Sequence, residues 1–156
     1  MKRLLLALFV CICFSQTAFA LCVILPKVSL RAGPGSNYKE TWKVGKYMPL
    51  KRKSAGTKNG WIQVTDIDGE THWVYSAAVS EELTCVVVKM NYVALRQSPD
   101  EAAPLTPLKY ADKYWPFKKV VRDDDGWYQV EDDFGGRHWI RQSHAWQPTV
   151  YSQISF

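Results

Sequence analysis

The sequence has few of the residues from which catalytic and metal centres are usually built. It holds four cysteines and three histidines in 156 residues, whereas a zinc site needs three or four ligands, usually in closely spaced pairs. It also lacks any long run of Lys or Arg, although its formal net charge is +5. Its apolar stretch at residues 4–14 is shorter than the ~20 residues of a membrane span. The composition therefore argues against a metal site, a nucleic-acid-binding surface and a membrane-spanning helix.

The first twenty residues instead have the three parts of a secretory signal peptide. Lys2 and Arg3 precede the apolar stretch, and Ala-Phe-Ala at residues 18–20 forms a small-x-small cleavage site. We therefore predict cleavage near Ala20 and export of the remaining chain, to the periplasm or to the exterior of the cell. Loss of Lys2 and Arg3 lowers the formal net charge from +5 to +3, which permits weak attraction to an anionic surface.

Export also bears on the two cysteines that follow the signal peptide, Cys22 and Cys85. An even number of cysteines in an exported protein favours a disulfide. Each of the two precedes the same Leu-Arg signature in its own half of the chain, so a Cys22–Cys85 bond would join the halves. Two buried free thiols are the alternative, because the sequence does not show whether the Cα atoms come within bonding distance.

The second half of the chain repeats the first. Three segments return at offsets of 65 or 66 residues, a period too long for a solenoid unit and suited to a small domain that folds alone. We therefore predict two domains, at residues 21–83 and 84–147, followed by a C-terminal tail at 148–156. The repeated pairs are Val-Ser-Leu-Arg at 28–31 with Val-Ala-Leu-Arg at 93–96, Gly-Trp-Ile-Gln-Val at 60–64 with Gly-Trp-Tyr-Gln-Val at 126–130, and His-Trp-Val at 72–74 with His-Trp-Ile at 138–140.

Each repeat has the pattern of short strands separated by tight turns. Asn59 and Gly60 are typical of a two-residue hairpin turn, since both residue types tolerate positive φ. No stretch has the period of a long amphipathic helix, and short strands at regular spacing predict a small barrel or sandwich. The predicted strands are residues 47–53, 61–65 and 71–75 in the first repeat and 115–122, 127–131 and 137–141 in the second, and residues 76–78 are predicted to form a short helical turn.

Three motifs of the first repeat follow one another in an order typical of one domain family. They are Leu-Arg-Ala-Gly-Pro-Gly-Ser-Asn-Tyr at 30–38, Gly-Trp-Ile-Gln-Val at 60–64 and Trp-Val at 73–74. In this order and spacing the chain resembles the bacterial SH3-like (SH3b) domain. The second repeat matches less closely, because Gln-Ser-Pro-Asp at 97–100 replaces the Gly-Pro-Gly turn, and His72 and His138 stand where the family usually has Gly. The resemblance implies an all-β fold of two SH3-like small β-barrels in tandem, and many members of the family attach to the bacterial cell wall.

Strand periodicity indicates where a binding surface would lie. Ile62 and Val64 are expected in the core, so Trp61 and Gln63 should face outward, because successive side chains point to opposite faces of a sheet. The same reasoning places Val74 and Ile140 inside the domains. Aromatic rings on an outer face favour a groove for an extended peptide, although they would also suit the ends of a barrel or a contact between the domains. The predicted ligand-binding residues are Tyr38, Tyr47, Trp61, Gln63 and Trp73 in the first repeat and Trp115, Trp127, Gln129 and Trp139 in the second.

Other motifs favour structural roles. His72 and His138 are equivalent in the two repeats and are predicted to pack on neighbouring strands, so that with His144 they do not form a metal site. Asp123-Asp124-Asp125-Gly126 lacks the alternating ligands of a calcium loop and predicts an acidic hairpin turn. The proline-rich segment 99–107 is predicted to be a surface loop beside the groove. No cysteine has a histidine close in sequence to activate it, and no residues remain for a separate catalytic domain, so we predict no enzymatic activity and no cofactor.

Together these features predict an exported, non-catalytic binding protein. Its expected partner is a cell-wall (peptidoglycan) peptide or a wall-associated envelope protein, bound through aromatic surface grooves. The alternative is a structural or regulatory protein whose aromatic faces make contacts between its own domains or with another protein, with no wall ligand. Neither a nucleic acid nor a membrane span is expected.

Overall fold

The computed structural model of the chain describes residues 20–148, with the side chains of residues 121–124 left aside. Residues 1–19 of the predicted signal peptide and residues 149–156 of the predicted tail lie outside the described residues. Among residues 20–148, no helix is long and apolar enough to cross a membrane. The fold is almost entirely β, with one seven-stranded antiparallel sheet in each half of the chain.

Domain 1 contains the first sheet, in which the strands follow the order β3-β2-β6-β5-β4-β1-β7. The β5 and β6 strands begin and end where the alternation of apolar residues predicts. A short 3-10 turn at Ser76–Ala78 links β6 to β7, also as predicted. The strands are β1 (Ala20–Val23), β2 (Lys27–Arg31), β3 (Glu40–Gly45), β4 (Pro49–Arg52), β5 (Trp61–Thr65), β6 (Thr71–Tyr75) and β7 (Val79–Ser80).

Domain 2 repeats this topology with the order β10-β9-β13-β12-β11-β8-β14. Residues 81–84 connect β7 to β8, and a second 3-10 turn at Gln142–His144 precedes β14. The fold is thus the tandem of two SH3-like small barrels that the repeat predicts. The strands are β8 (Cys85–Val88), β9 (Val93–Arg96), β10 (Leu105–Ala111), β11 (Pro116–Asp124), β12 (Trp127–Glu131), β13 (Arg137–Arg141) and β14 (Ala145–Trp146).

Burial along the central strands confirms the predicted alternation. Ile62, Val64 and Val74 are between 0% and 4% exposed in domain 1, and Ile140 is 0% exposed in domain 2. The side chains between them on β5 and β6 are partly or fully exposed. Alternate residues therefore form the core, and the others form an outer face on each sheet.

A His, Asp and Thr cluster fixes the same turn in both domains, with a buried threonine in domain 2 and an exposed one in domain 1. In domain 2, Asp132 Oδ2 accepts a hydrogen bond from His138 Nε2 at 2.9 Å, and its Oδ1 accepts the amides of Phe134 and Gly136, each at 2.8 Å. Because the carboxylate only accepts, Nε2 carries a hydrogen, and Nδ1 shares a hydrogen bond with the Thr106 hydroxyl at 2.8 Å. The equivalent residues of domain 1 are Asp66, His72 and Thr41.

This cluster explains why histidine is compatible with a core position of each sheet. His72 is 6% exposed and His138 is 3% exposed, and both nitrogens of each ring have a hydrogen-bonding partner, which removes the cost of burying a polar group. The prediction that these histidines pack on neighbouring strands is confirmed. Among the described residues, no group of three or more His, Cys, Asp or Glu side chains is placed to hold a metal ion.

Replacement of Asp132 by alanine is expected to lower the free energy of unfolding by about 3 kcal/mol, because the change leaves one buried ring nitrogen and two amides without their acceptor. Urea denaturation followed by fluorescence measures the change. Asp133→Ala is the matched control, since Asp133 lies in the same turn, is exposed and pairs with Lys46 of domain 1 at the surface, at 3.3 Å, so its loss should cost less than about 1 kcal/mol. Equal effects of the two substitutions would contradict a stabilising role for the cluster.

The same carboxylate makes stability depend on pH. Burial raises the pKa of Asp132, but the hydrogen bonds from His138, Gly136 and Phe134 outweigh it, so the pKa lies below the ordinary value of 3.8. The stabilisation is therefore complete above pH 3.8 and is lost as the pH falls through the lower folded-state pKa. We expect the wild type to lose more stability than Asp132→Asn between pH 5 and pH 2 in urea titrations, and parallel losses would show that this carboxylate is not responsible.

The two domains share an apolar interface. Val87 of β8 is 0% exposed and belongs to the core of domain 1. Tyr114 of domain 2 packs edge-on against Trp42 of domain 1, with the ring centroids 5.4 Å apart. Its hydroxyl donates to Asp68 Oδ2 at 2.6 Å, and this hydrogen bond lowers the pKa of Asp68. The domains therefore contact each other closely, as their short connection would suggest.

The two cysteines lie within this interface. Cys22 on β1 and Cys85 on β8 are 1% and 2% exposed, their Cα atoms are 5.8 Å apart, and the structure joins them in a disulfide. The Cα distance is within the range of native disulfides. Tyr47 and Leu83 pack around the bond, so a single apolar cluster surrounds the connection between the domains.

Equivalent residues of the two domains make similar contacts at the interface. Tyr47 and Tyr114 both have positive φ, 69° and 72°, and each donates its amide to the carbonyl of the last residue of the first strand of its own domain, Val23 or Val88. Lys46 pairs with Asp133 at 3.3 Å, and Lys113, the residue before Tyr114, pairs with Asp68 at 3.4 Å. The repeat partner of Tyr47 is thus Tyr114, because the second domain has two extra residues between its Leu-Arg signature and this point.

Candidate functional site

The outer face of domain 1 is an aromatic and polar strip across β5, β6 and β2. Trp61 lies opposite Tyr75, and their ring centroids are 5.7 Å apart. Gln63 lies opposite Trp73, and Trp73 lies opposite Arg31 of β2. Tyr75 is 49% exposed, and Trp61, Gln63 and Trp73 are partly exposed. The predicted residues Trp61, Gln63 and Trp73 therefore do share one face, and we use the name outer face of domain 1 for these five residues.

The glycine-rich loop borders the outer face of domain 1. Arg31 Nη1 donates to the Tyr38 carbonyl at 2.8 Å, which joins the end of β2 to the far end of the loop. The Tyr38 ring covers Gly33 so closely that a Cβ at that position would collide with it. Tyr38 itself is 44% exposed. The predicted site residue Tyr38 thus lies in the loop next to the strip, and Gly33 is needed for its close approach.

Basic side chains accompany the aromatic strip. Lys53 donates its amide to the Gln63 carbonyl at 2.9 Å, and its Nζ donates to Thr71 at 3.0 Å. Arg31 stands at the other side, opposite Trp73. Such a surface combines flat rings, which contact apolar groups, with cations and an amide that hydrogen-bond to carbonyl or carboxylate oxygens.

The corresponding face of domain 2 differs at one position. Trp127 pairs with Arg141, and the guanidinium carbon lies 4.3 Å from the centroid of the indole ring. Trp127 is only 4% exposed, so the prediction that it is an exposed ring of a binding groove is wrong. It does point away from the core, but Arg141 covers it. Gln129 and Trp139 pair as Gln63 and Trp73 do and are partly exposed.

A cavity of about 380 Å³ opens beside this covered ring. Glu101 forms one wall, and its carboxylate accepts from Arg141 Nε at 2.7 Å. The part of the predicted proline-rich loop at residues 99–104 therefore borders the groove, whereas residues 105–107 belong to β10. The residues that line the cavity are Pro99, Asp100, Glu101, Asp125, Trp127 and Arg141.

Two other predicted site residues lie elsewhere. Tyr47 is 7% exposed and packs beside the cysteine pair, so it belongs to the interface between the domains and not to a surface groove. Its positive φ excludes it from the predicted strand 47–53, so β4 begins later, at Pro49. Trp115 is 36% exposed but precedes β11, so it is not on the strip formed by β12 and β13.

The strip also contains residues that the sequence analysis missed. Tyr75 and Arg141 are equivalent in the two repeats and lie opposite the two tryptophans Trp61 and Trp127. Both could have been identified by extending the strand alternation two residues past Trp73 and Trp139, since residues i and i+2 share a face. These two positions distinguish the domains, because one presents an aromatic ring and the other a cation.

Comparisons with known proteins agree with this architecture. The sequence model of a family described as bacterial SH3 domain matches residues 26–81 and 89–147. Among proteins of curated function, none matches the chain significantly. Similar solved structures include NlpC2 and NlpC1 from Trichomonas vaginalis, each 16% identical, with TM-scores of 0.38 and 0.37 over 90% of this chain.

The chain spans about half of those two proteins, 51% and 49% of their lengths. A third similar structure is the endolysin LysPBC5 CBD, which is 19% identical with a TM-score of 0.33. That alignment covers 85% of this chain and 95% of the other. These likenesses are distant, so the outer faces described above carry the functional argument.

Proposed function

Because the chain belongs to the bacterial SH3 domain family, we propose that it is an exported, non-catalytic binding protein that recognises cell-wall peptide or a wall-associated protein. The outer face of domain 1 is the primary site, and the groove of domain 2 is a second one. The observation that carries the proposal is the partly exposed aromatic strip, in which Trp61 packs against Tyr75 beside Gln63 and Trp73. A soluble protein seldom exposes several aromatic rings together without a binding role.

The geometry of the strip suits an extended peptide. Aromatic rings contact the apolar parts of such a ligand, while Gln63, Arg31 and Lys53 offer donors for its carbonyl and carboxylate oxygens. Wall peptides are short chains that contain these groups. Two sites on one chain would also raise the avidity for a repetitive polymer, because binding at the first site raises the effective concentration at the second.

The residues that form the interface between the domains support an outer face of domain 1 that is available to a ligand. Trp42, Tyr47, Tyr114 and Trp146 make aromatic contacts between the domains, whereas Trp61 packs with Tyr75 within its own domain. These contacts favour an outer face that binds a ligand over the alternative in which the faces of Trp61 and Trp73 pack the domains against each other. Contact with a separate protein remains within the proposed role.

The buried cluster of domain 2 supports a non-catalytic role. Thr106, His138 and Asp132 resemble a hydroxyl, imidazole and carboxylate relay, but they are 5%, 3% and 6% exposed, and a substrate must reach a nucleophile for catalysis. Both ring nitrogens of His138 already have partners. The cluster therefore holds the turn and has no access to a reacting group.

Titration of the isotopically labelled protein with muramidase-released wall fragments tests the proposal. We expect saturable NMR shifts of the indole signals of Trp61 and Trp73, because these rings would contact the ligand. The indole of Trp146, which packs against the core of domain 1, serves as the internal control and should not move. Absence of shifts, or shifts at Trp146 in place of the strip, would contradict the proposed site.

A further inference from the structure

We propose that the cavity of domain 2 is a site for a primary ammonium group, of the kind carried by the side chain of a lysine-like residue. The inference deepens the proposed function and rests on it only for the source of that group, a wall peptide. Three features carry it: an aromatic ring already in contact with a cation, an excess of carboxylates around the cavity, and a neutral counterpart in domain 1.

The ring of Trp127 already contacts a cation. The Arg141 guanidinium lies 4.3 Å from its centroid, which is the geometry of a cation–π contact. On its other side this guanidinium donates to Glu101 at 2.7 Å. An indole and a carboxylate thus already bind one cationic group at the wall of the cavity, and a second cation that enters beside it would meet the carboxylates of Asp100 and Asp125.

Carboxylates outnumber cations around the cavity. Asp100, Glu101 and Asp125 line it together with one cation, Arg141, so the lining has a formal charge of −2. Arg96 lies 3.8 Å from Glu101 beside the cavity, and with this second cation the local formal charge is −1. The hydrogen bond from Arg141 lowers the pKa of Glu101, which keeps that carboxylate ionised at neutral pH. A charge of this sign in a concave site attracts a cationic group, although the whole chain has a formal charge of +5.

Domain 1 lacks this chemistry at the equivalent place. Tyr75 replaces Arg141, and Asn59 replaces Asp125 at the same left-handed turn position, with φ values of 53° and 43°. The loop at residues 33–37 contains no acidic residue, whereas Asp100 and Glu101 lie in the corresponding loop of domain 2. The contrast indicates that the two grooves select different groups, and it supplies an internal control.

The size of the cavity suits the end of an aliphatic amine. A volume of about 380 Å³ lies near the lower end of the range for small-molecule sites. Pro99 and the edge of Trp127 would contact the methylene chain, while the carboxylates would contact the ammonium group. A whole glycan unit is therefore not required for recognition.

An NMR titration with two matched probes tests the inference. Nα-acetyl-lysine amide carries the ammonium group, and Nα-acetyl-norleucine amide has a similar aliphatic chain without it. We expect saturable shifts of the Trp127 indole with the lysine probe and at least tenfold weaker binding of the norleucine probe, with no shift of the Trp61 indole. Equal binding of the two probes, or no saturable shift at Trp127, would overturn the inference.

A double substitution tests the carboxylates. Asp100→Asn with Asp125→Asn removes two negative charges and keeps a residue that tolerates positive φ at position 125, so affinity for the lysine probe should fall about tenfold. The control is Asp133→Asn, which removes a charge from an exposed turn of the same domain and should leave affinity unchanged. Unchanged affinity in the double variant would contradict the site.

The outcomes separate this inference from the proposed function. If the lysine probe binds but wall fragments do not, the ammonium site stands and the wall role fails. If wall fragments bind at domain 1 but the lysine probe does not bind at Trp127, the wall role stands and the ammonium site fails.

Discussion

Reduction of the bond between Cys22 and Cys85 is expected to lower the free energy of unfolding by about 4 kcal/mol. The bond closes a loop with a sequence separation of 63 residues, and in the chain-entropy account a loop of this length restricts the unfolded chain by that amount. It also ties β1 of domain 1 to β8 of domain 2, so reduction should loosen the interface between the domains. Urea denaturation of the oxidised and the reduced protein measures the difference in midpoint.

The double variant Cys22→Ala with Cys85→Ala is the control for the reductant. It has neither thiol of the pair, so the reductant should leave its midpoint unchanged, and its stability should resemble that of the reduced wild type. Alkylation of both thiols in the unreduced native protein would contradict the disulfide itself. An unchanged midpoint on reduction would show that the bond does not restrain the unfolded chain.

Replacement of Trp61 by alanine is expected to weaken binding to wall fragments about 30-fold, which corresponds to the ~2 kcal/mol typical of an aromatic hot-spot residue. Trp61 packs on Tyr75 at the centre of the outer face of domain 1, and its loss would remove the largest apolar contact with a ligand. Phe134→Ala is the matched control, since Phe134 is 93% exposed but lies in a turn of domain 2. Isothermal titration calorimetry with muramidase-released fragments compares the variants.

The folded state of each variant must be verified by urea denaturation before binding is compared. Domain 1 gives the clearer result, because Trp61 is partly exposed whereas Trp127 is 4% exposed beneath Arg141. Trp127→Ala would remove buried packing as well as any ligand contact. If Trp61→Ala and Phe134→Ala bind as well as the wild type, the outer face of domain 1 is not the binding site.

The central strands and the faces of their side chains were predictable from the sequence. Alternation is a local property, so Ile62 and Val64 could be assigned to the core and Trp61 and Gln63 to the outside. The turn at Asn59 was predictable for the same reason, because its backbone preference is intrinsic, and its φ is 53°. The repeated segments indicated that the chain contains two domains.

The remaining features depend on contacts between residues distant in sequence. Trp127 is covered by a residue of the next strand, Arg141, which is in turn held by Glu101 from a loop 40 residues away. Tyr47 was assigned to a groove because it is aromatic, yet its positive φ directs it to the contact between the domains. The alternation of side chains along a strand predicts which face of the sheet a residue occupies, but it does not predict which other residues cover that face.

Co-sedimentation of residues 21–156 with purified peptidoglycan sacculi across a salt series tests the central claim most directly. The proposed function predicts saturable binding that persists at high salt, because aromatic contacts are not screened, and loss of most of this binding in Trp61→Ala. Binding that disappears at modest salt would reflect only the attraction of a basic protein to an anionic polymer. That result, or no binding at all, would contradict recognition of the wall by the outer face of domain 1.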